Sequence, residues 1–301
     1  MSHTEIVAIV NPLSGAGATS GVAQARVALL SSRFSASHLL GEVHLTQRRF
    51  HAGELARSAI ERGVKLVIAW GGDGTINEIG TALAGSDVVL GIIPAGSGNG
   101  FASELGLPRT PEAALQIALT GRDRQIDGGE LDGRLFFNIA GIGFDAVVAE
   151  QFNLRTLGQR GLRPYVQIGL RETFRYRAAE YRIRLDGEEF TSRALLIAFA
   201  NGREYGNKIR LAPHAQMDDG KLEAMVVEDR HPISRLWCGR HLALGTADRA
   251  PRIIKRSIES AVIESDREMP YHLDGEIGRT DRPIRIRIRP KLLTVRVPRS
   301  A

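Results

Sequence analysis

Apolar residues in the first third of the chain fall into short unbroken runs separated by polar, glycine-rich breaks. Ile6-Val7-Ala8-Ile9-Val10 is one such run, of the kind shown by a strand buried on both faces. Asn11 to Gly17 breaks it, and an Ala/Leu-rich stretch predicts a helix over residues 20–30. A short strand near Val43-His44-Leu45 and a helix from about Ala52 to Glu61 come next. Lys65 to Trp70 predicts a third strand that stops abruptly at Gly71-Gly72, followed by a helix from Ile76. A strand over Val88 to Ile93 and a second glycine loop complete the series. Strands alternating with helices imply a parallel sheet with helices on both faces, a three-layer α/β domain.

The texture changes from about Gln125. Short apolar or alternating segments (Leu135 to Ala140, Tyr181 to Leu185, Ala194 to Ala200, Leu222 to Val227) are separated by Asp-Gly turns at 132–133, 186–187 and 219–220. This predicts a β-rich second domain, a sandwich, interrupted by a helix after Pro164, since proline suits a first helical turn. Ile284, Ile286 and Ile288 alternate with Arg285, Arg287 and Arg289, the period of a half-exposed strand.

A chain of 301 residues accommodates two such domains. With 43% hydrophobic and 25% charged residues it has ordinary globular composition, which argues against disorder or a disulfide-stapled scaffold. Cys238 is the single cysteine, so no internal disulfide forms and a reducing compartment fits. The start of the chain lacks the basic stretch and long apolar core of a signal peptide, and about 18 consecutive apolar residues occur nowhere. The expected location is the cytoplasm. The net charge of +6 favours anionic partners without choosing among nucleotide, nucleic acid and acidic lipid.

Candidate chemistry lies in the loops. Gly71-Gly72-Asp73-Gly74-Thr75-Ile76-Asn77-Glu78 sits between a buried strand and a helix, where backbone N–H groups and the helix dipole favour anions. Asp73 is odd beside bare phosphate but sensible if Mg²⁺ accompanies a nucleotide. Pro94 to Ala102 repeats the design, and Asn11-Pro12-Leu13-Ser14-Gly15 ends the first strand. In a parallel sheet all three loops emerge at the carboxyl edge, where open α/β sheets bind ligands. Neither the Walker pattern nor GxGxxG is present.

These loops resemble the diacylglycerol kinase catalytic-domain superfamily, which includes bacterial lipid kinases, sphingosine kinases and ceramide kinases. Further matching elements are Thr46 with His51-Ala52 and Leu55-Ala56, Asn138 to Asp145, Pro213 with Asp219-Gly220, and Leu273-Asp274-Gly275-Glu276. The resemblance implies an α/β domain over 1–125, joined by a C-terminal return at about 290–301, and a β-sandwich domain over 126–289, with ATP between them. It implies nucleotide contacts at Asn11, Thr46, Gly71, Gly72, Asp73, Gly74, Thr75, Ile76, Asn77 and Ser97. Glu276 matches the family's proton acceptor, although its spacing alone favours a plain hairpin turn. Gln216, Asp219 and Lys221 match a structural Mg²⁺ site, of which only Asp219 is an obvious anionic ligand. Asp127, at the domain junction, either supports Glu276 or a second metal, or is a solvated turn residue.

The activity implied is transfer of the γ-phosphate of ATP, with Mg²⁺, to a lipid hydroxyl, diacylglycerol foremost. The implied partner is a membrane lipid, met peripherally at the inner membrane face, with no nucleic acid; a homodimer stays open. The arginine-rich stretch Arg155 to Arg184 either steers the chain onto anionic lipid, with Tyr165, Leu170 and Phe174 entering the interface, or is a solvated helical face. His51 is expected to support a helix start, and His214 and His272 to sit on the polar surface. The chain departs from many bacterial relatives at Ser97, at Gly100 in place of an aspartate, and at Phe50 in place of a usual glycine. The Gly96-Ser97-Gly98-Asn99 spelling is similar to sphingosine-type kinases, so a sphingoid base or ceramide is an alternative acceptor. NAD kinases share the Gly-Gly-Asp-Gly loop, and a non-catalytic nucleotide binder is a further alternative.

Overall fold

The five-residue run at the start forms β1 (Ile6–Val10), buried at every position. In chain order there follow α1 (Ser20–Ala36), β2 (Gly41–Leu45), α2 (His51–Glu61), β3 (Leu66–Gly71), α3 (Asp73–Leu83), β4 (Val89–Pro94), α4 (Gly100–Glu104), α5 (Pro111–Thr120) and β5 (Arg122–Leu131). The computed structural model describes residues 5–15, 20–96, 98–155, 162–206, 209–229, 235 and 253–299. The chain divides into two compact units, Met1–Ile126 with Lys291–Ala301, and Asp127–Pro290.

In the first unit β1 pairs in parallel with β2 and β3, and β3 with β4. Val10 lies opposite Leu45 and Trp70, and Gly71 opposite Pro94, so the strand ends are level and their following loops share one edge. Ile6, Ala8, Val10, Leu66, Ile68 and Trp70 build one core with Leu30 and Phe34 of α1 and Ala114, Leu115 and Ala118 of α5. Alternation turns Val7, Ile9, Val67 and Ala69 to the other face, which α2 and α3 cover. The helix expected from Ile76 begins at Asp73, with Gly72 as its extended N-cap. Its first turn is polar and carries no apolar period, but an aspartate there suits the positive helix end. Helix α5, which the sequence analysis did not predict, opens with Pro111, a residue suited to the first helical turn.

The second unit is antiparallel. It contains β6 (Arg134–Phe136), β7 (Ile139–Gly143), α6 (Phe144–Arg155), α7 (Leu162–Arg175), β8 (Ala179–Leu185), β9 (Glu188–Ala200), β10 (Glu204–Gly206), β11 (Ile209–Arg210) and β12 (Leu222–Glu228). Then come β13 (Ile253–Ile258), β14 (Ser260–Glu264), β15 (Met269–Leu273), β16 (Glu276–Thr280) and β17 (Ile284–Val297), the last passing into the first unit at Lys291. The single apolar segment expected over Leu135 to Ala140 is split between β6 and β7, because Phe137 and Asn138 leave the ladder. Strand β9 changes partners along its length: Glu188 to Ala194 pairs with β8, and Leu196 to Ala200 pairs with β7 and β12. That switch lets one strand serve both layers of a sandwich.

Three Asp-Gly pairs make two-residue hairpins, at Asp132-Gly133, Asp186-Gly187 and Asp274-Gly275. Both residues of each have positive φ, between 45° and 91°. Asp219-Gly220 differs; among its two residues only Gly220 has positive φ, and it leads into β12 rather than closing a hairpin. In β17, Ile284, Ile286 and Ile288 enter the core and the arginines between them face outward.

Glu130 of β5 accepts from Arg287 at 2.5 Å and from Arg289 at 2.6 Å. Burial pushes its carboxyl up, but these two hydrogen bonds outweigh burial and hold it below the ordinary carboxylate value. The stability this contributes is therefore present above the unfolded carboxyl's ordinary value and is lost as pH falls through the depressed one. Glu130→Gln is expected to unfold at lower denaturant than the parent at neutral pH, with the gap closing on acidification. Parallel urea titrations from pH 7 to pH 3 check this; a gap that stays constant refutes the assignment.

Candidate active site

Three loops meet at the carboxyl edge of the first unit's sheet. Gly72 and Gly96 touch backbone to backbone: a Cβ built on Gly96 would lie 2.9 Å from the Gly72 Cα. A Cβ on Gly71 would lie 2.6 Å from the Thr75 Cβ, so no side chain fits at that turn. The Gly98 Cβ position is 3.2 Å from Asp73 Oδ2, which brings the second loop against the carboxylate of the first. The Ala95 amide donates to the Gly71 carbonyl at 2.8 Å, extending the β3–β4 ladder into the loops. Asn99, in the left-handed region at φ 51°, folds its amide back on Gly96, accepting from the Gly96 N–H and donating to the Gly96 carbonyl, both at 2.7 Å. Gly15 (φ 95°) comes within 3.0 Å of the Ala95 carbonyl by its Cβ position, so the loop after β1 joins the group.

Asn11 ties the loop after β1 to the first turn of α3. Its Nδ2 donates to Thr75 Oγ1 and its Oδ1 accepts from the Leu13 amide, each at 2.9 Å. Arg26 of α1 donates to the carbonyls of Asn11 and Ser14 and lies 5.5 Å from the Trp70 ring centroid. Thr75 is buried, and Ile76 is a core residue whose amide donates to the Gly72 carbonyl. Thr46 is half-buried, with its amide on the Val10 carbonyl. Asn77 and Asp73 are half-buried on the first turns of α3. Ser97 lies outside the described residues. His51 opens α2 and accepts from the Gln47 amide at 3.1 Å, a helix-start role. The edge is thus a set of closely packed glycine turns at a helix N-terminus with one carboxylate beside them, chemistry suited to a phosphate chain and its counter-ion.

In the second unit Glu276 is the first residue of β16, directly opposite Leu273 across the Asp274-Gly275 turn. The turn is clamped: the Asp274 carboxylate accepts from the amides of Phe137, Asn138 and Ile139 at 2.8, 3.0 and 2.9 Å, and its own amide donates to the Ile139 carbonyl. Glu276 is half-buried. Asp127 is 1% exposed, which corrects the solvated-turn alternative; its Oδ2 accepts from the Gly220 amide at 2.7 Å. Buried Asn201 donates to the carbonyls of Asp127 and Phe137, both at 2.9 Å. His214 is exposed, but His272 is not on the surface: it is buried, with Nε2 3.1 Å from Asp145 Oδ2. Gly141 makes room for that pair, since its Cβ would overlap the Asp145 carboxylate. Tyr176 stands nearby, its phenol pushed well above the ordinary value by burial, then by Tyr181 and Asp145.

Gln216, Asp219 and Lys221 are all exposed, and Asp219 Oδ1 accepts from the Lys221 amide at 3.0 Å. Among the described residues no group of three or more His, Cys, Asp or Glu side chains gathers as a metal cage. Helix α7 covers part of the arginine-rich stretch, but the side chains of Tyr165, Leu170 and Phe174 lie outside the described residues.

The family description "Diacylglycerol kinase catalytic domain" matches residues 5–131, and "YegS C-terminal NAD kinase beta sandwich-like domain" matches residues 138–297. A protein named "Diacylglycerol kinase" from Mycobacterium tuberculosis is 34% identical over 243 residues, 77% of each chain. The chain belongs to the diacylglycerol kinase family. Another member, "Probable lipid kinase YegS-like" from Klebsiella pneumoniae, is 31% identical over 261 residues, covering 85% of this chain and 86% of that one. A crystal structure of a diacylglycerol kinase from Bacillus anthracis str. Sterne shares the fold with a TM-score of 0.71 at 21% identity, over 99% of this chain and 98% of that one. A second structure from that organism reaches 0.79 at 24%, over the same shares. Family membership makes this chain a phosphotransferase with an alcohol acceptor, and ATP use is implied by the kinase family.

Sequence reasoning placed Asn99, Asp145 and Asp274 in matching segments but did not anticipate the hydrogen bonds of Asn99 and Asp274 or the buried Asp145–His272 pair. An aspartate before glycine at a predicted hairpin signalled the turn, but not that its carboxylate would hold a neighbouring segment. Asp274→Ala removes the acceptor of three amides and is expected to cost about 2–5 kcal/mol of stability, with Asp274→Asn intermediate. Urea unfolding of the three proteins measures it; equal midpoints would show that the clamp carries no energy.

Proposed function

We propose that this chain is an ATP- and Mg²⁺-dependent lipid kinase that phosphorylates diacylglycerol to phosphatidic acid. The observation that carries the reading is the close approach of Gly72 to Gly96 with the Asp73 carboxylate beside Gly98. Only a backbone-lined turn of this kind presents amides to a phosphate chain without interposed side chains. The acceptor rests on the relatives named diacylglycerol kinase. A sphingoid base is the second reading, favoured by the Gly96-Ser97-Gly98-Asn99 spelling.

In this reading the amides of Gly72 to Thr75 and the N-terminus of α3 receive the phosphates, with Asn11, Thr46, Asn77 and Ser97 as further contacts. One carboxylate at the loops fits Mg²⁺ well, because that ion is usually held by one or two carboxylates together with substrate phosphates and water. Asp73 would hold it; when bound, the ion neutralises charge on the phosphates. Gln216, Asp219 and Lys221 would supply the structural site largely through backbone oxygens. Glu276 takes the proton of the lipid hydroxyl as its oxygen bonds to the γ-phosphorus and the bond to the leaving ADP breaks. The Asp274 clamp keeps Glu276 at a fixed place on its hairpin, and buried Asp127 supports the neighbouring turn through Gly220.

The test is incubation of purified protein with ATP and Mg²⁺ against diacylglycerol, monoacylglycerol, sphingoid base, ceramide, phosphatidylglycerol and NAD, with mass detection of product. Diacylglycerol is expected to be phosphorylated fastest; product from NAD alone would overturn the reading. Glu276→Gln is expected to lower turnover at least about 100-fold while ATP affinity stays within about twofold; normal turnover removes Glu276 from its role. Asp73→Asn is expected to raise the Mg²⁺ concentration needed for half-maximal rate, and an unchanged metal titration counts against that assignment.

A further inference from the structure

We propose that the β1–β2 end of the first unit's carboxyl edge is a membrane-contact surface that inserts Leu13, Leu45 and Phe50 into a bilayer containing anionic phospholipid. Four large apolar side chains among the described residues are strongly exposed, and three of them are these: Leu13 at 74%, Leu45 at 39% and Phe50 at 58%. They are not scattered. Leu45 ends β2 opposite Val10, Leu13 lies in the loop that leaves β1 just after Val10, and Phe50 ends the loop that follows β2. The fourth, Leu40, precedes β2 and so belongs to the opposite end of that strand. Isolated exposed apolar residues need no explanation, whereas a group on one edge marks an interaction surface.

Phe50 adds a second observation. It sits at φ 65°, ψ −2°, the left-handed region that a bulky side chain rarely occupies and that glycine takes freely. The conformation is held by the Phe50 amide, which donates to Glu78 Oε1 at 3.1 Å. A strained backbone thus presents a ring to solvent where a glycine would remove both the strain and the ring. The chemistry beside it fits a lipid interface. The Arg49 guanidinium lies 4.8 Å from the Phe50 ring centroid, and Arg48, paired with Glu54, is 62% exposed. Apolar side chains flanked by arginines are the composition that partitions to the boundary between headgroups and acyl chains, with the cations on anionic headgroups. This inference rests on the lipid-kinase reading, since a substrate that stays in the bilayer requires an enzyme that reaches it.

The experiment is vesicle flotation of the full chain without nucleotide, using phosphatidylcholine alone and equimolar phosphatidylcholine with phosphatidylglycerol. The parent is expected to float with the anionic vesicles and to be released by raised salt only in part, because the apolar contribution is not screened. Serine at positions 13, 45 and 50 together is expected to weaken partition by about tenfold per side chain, with the ATP dissociation constant and the unfolding midpoint not impaired. Phe50→Gly alone is expected to raise the melting temperature and still weaken flotation; Phe50→Trp retains it. Unchanged flotation of the triple variant, or a parent that binds neither vesicle, overturns the proposal. So does a parallel loss of ATP affinity, which would assign the edge to the nucleotide, or a parent dimer that the triple variant dissociates. Flotation is scored without phosphoryl transfer, so a parent that floats but phosphorylates no lipid refutes the kinase reading and leaves the surface standing.

Discussion

The first unit's site depends on two backbones approaching so closely that a side chain at Gly96 has no room. Gly72 and Gly96 belong to loops that leave neighbouring parallel strands and approach so closely that a Cβ on Gly96 would collide with Gly72, while one on Gly72 would sit tightly, 3.3 Å from the Gly96 Cα. The sheet register brings the loops level, the glycines let them close, and α3 then starts at the same edge. Asn99 adds a fixed shape to the second loop by bonding both polar groups of Gly96. Asp73 gains its position from the same approach, since Gly98 leaves its carboxylate uncovered by a side chain from the facing loop.

The second unit solves its positioning problem differently, with charge rather than absence. Each of its two-residue Asp-Gly hairpins turns a carboxylate back onto a neighbouring segment. Asp274 takes the amides of residues 137–139, Asp186 those of Glu259 and Ser260, and Asp132 that of Arg285. Charge-assisted bonds from backbone amides are stronger than neutral ones, so the tips are fixed from the side as well as along their own ladders. Glu276 lies one residue beyond such a tip, in a place set by covalent geometry and three hydrogen bonds.

Much of this was legible in the residues. Unbroken apolar runs marked β1, β3 and β4 because both faces of a parallel sheet are covered, and the period of two in β17 separated its core isoleucines from its outward arginines. The three glycine-bearing loops were readable as one edge, since parallel strands leave no other arrangement. What the sequence concealed was long-range. The polar first turn of α3 hides the helix start, the burial of His272 depends on Gly141 lying opposite it on another strand, and Asp127 is buried by a turn almost a hundred residues away. Contacts of that separation leave no local period to read.

Strand β17 has a further consequence for how the molecule is made. Its first half belongs to the second unit, while Val295 lies beside Leu90 of β4 and the Leu292 carbonyl accepts the amide of Gly85. The first unit's sheet therefore receives the strand beside β4 only after the whole second unit has been synthesised. Through that interval β4 is an unprotected border with bare peptide groups, the sort of surface that recruits strands from other molecules. Completion of the first unit thus waits on synthesis of the second, tied to the arrival of β17 rather than to the emergence of its own loops.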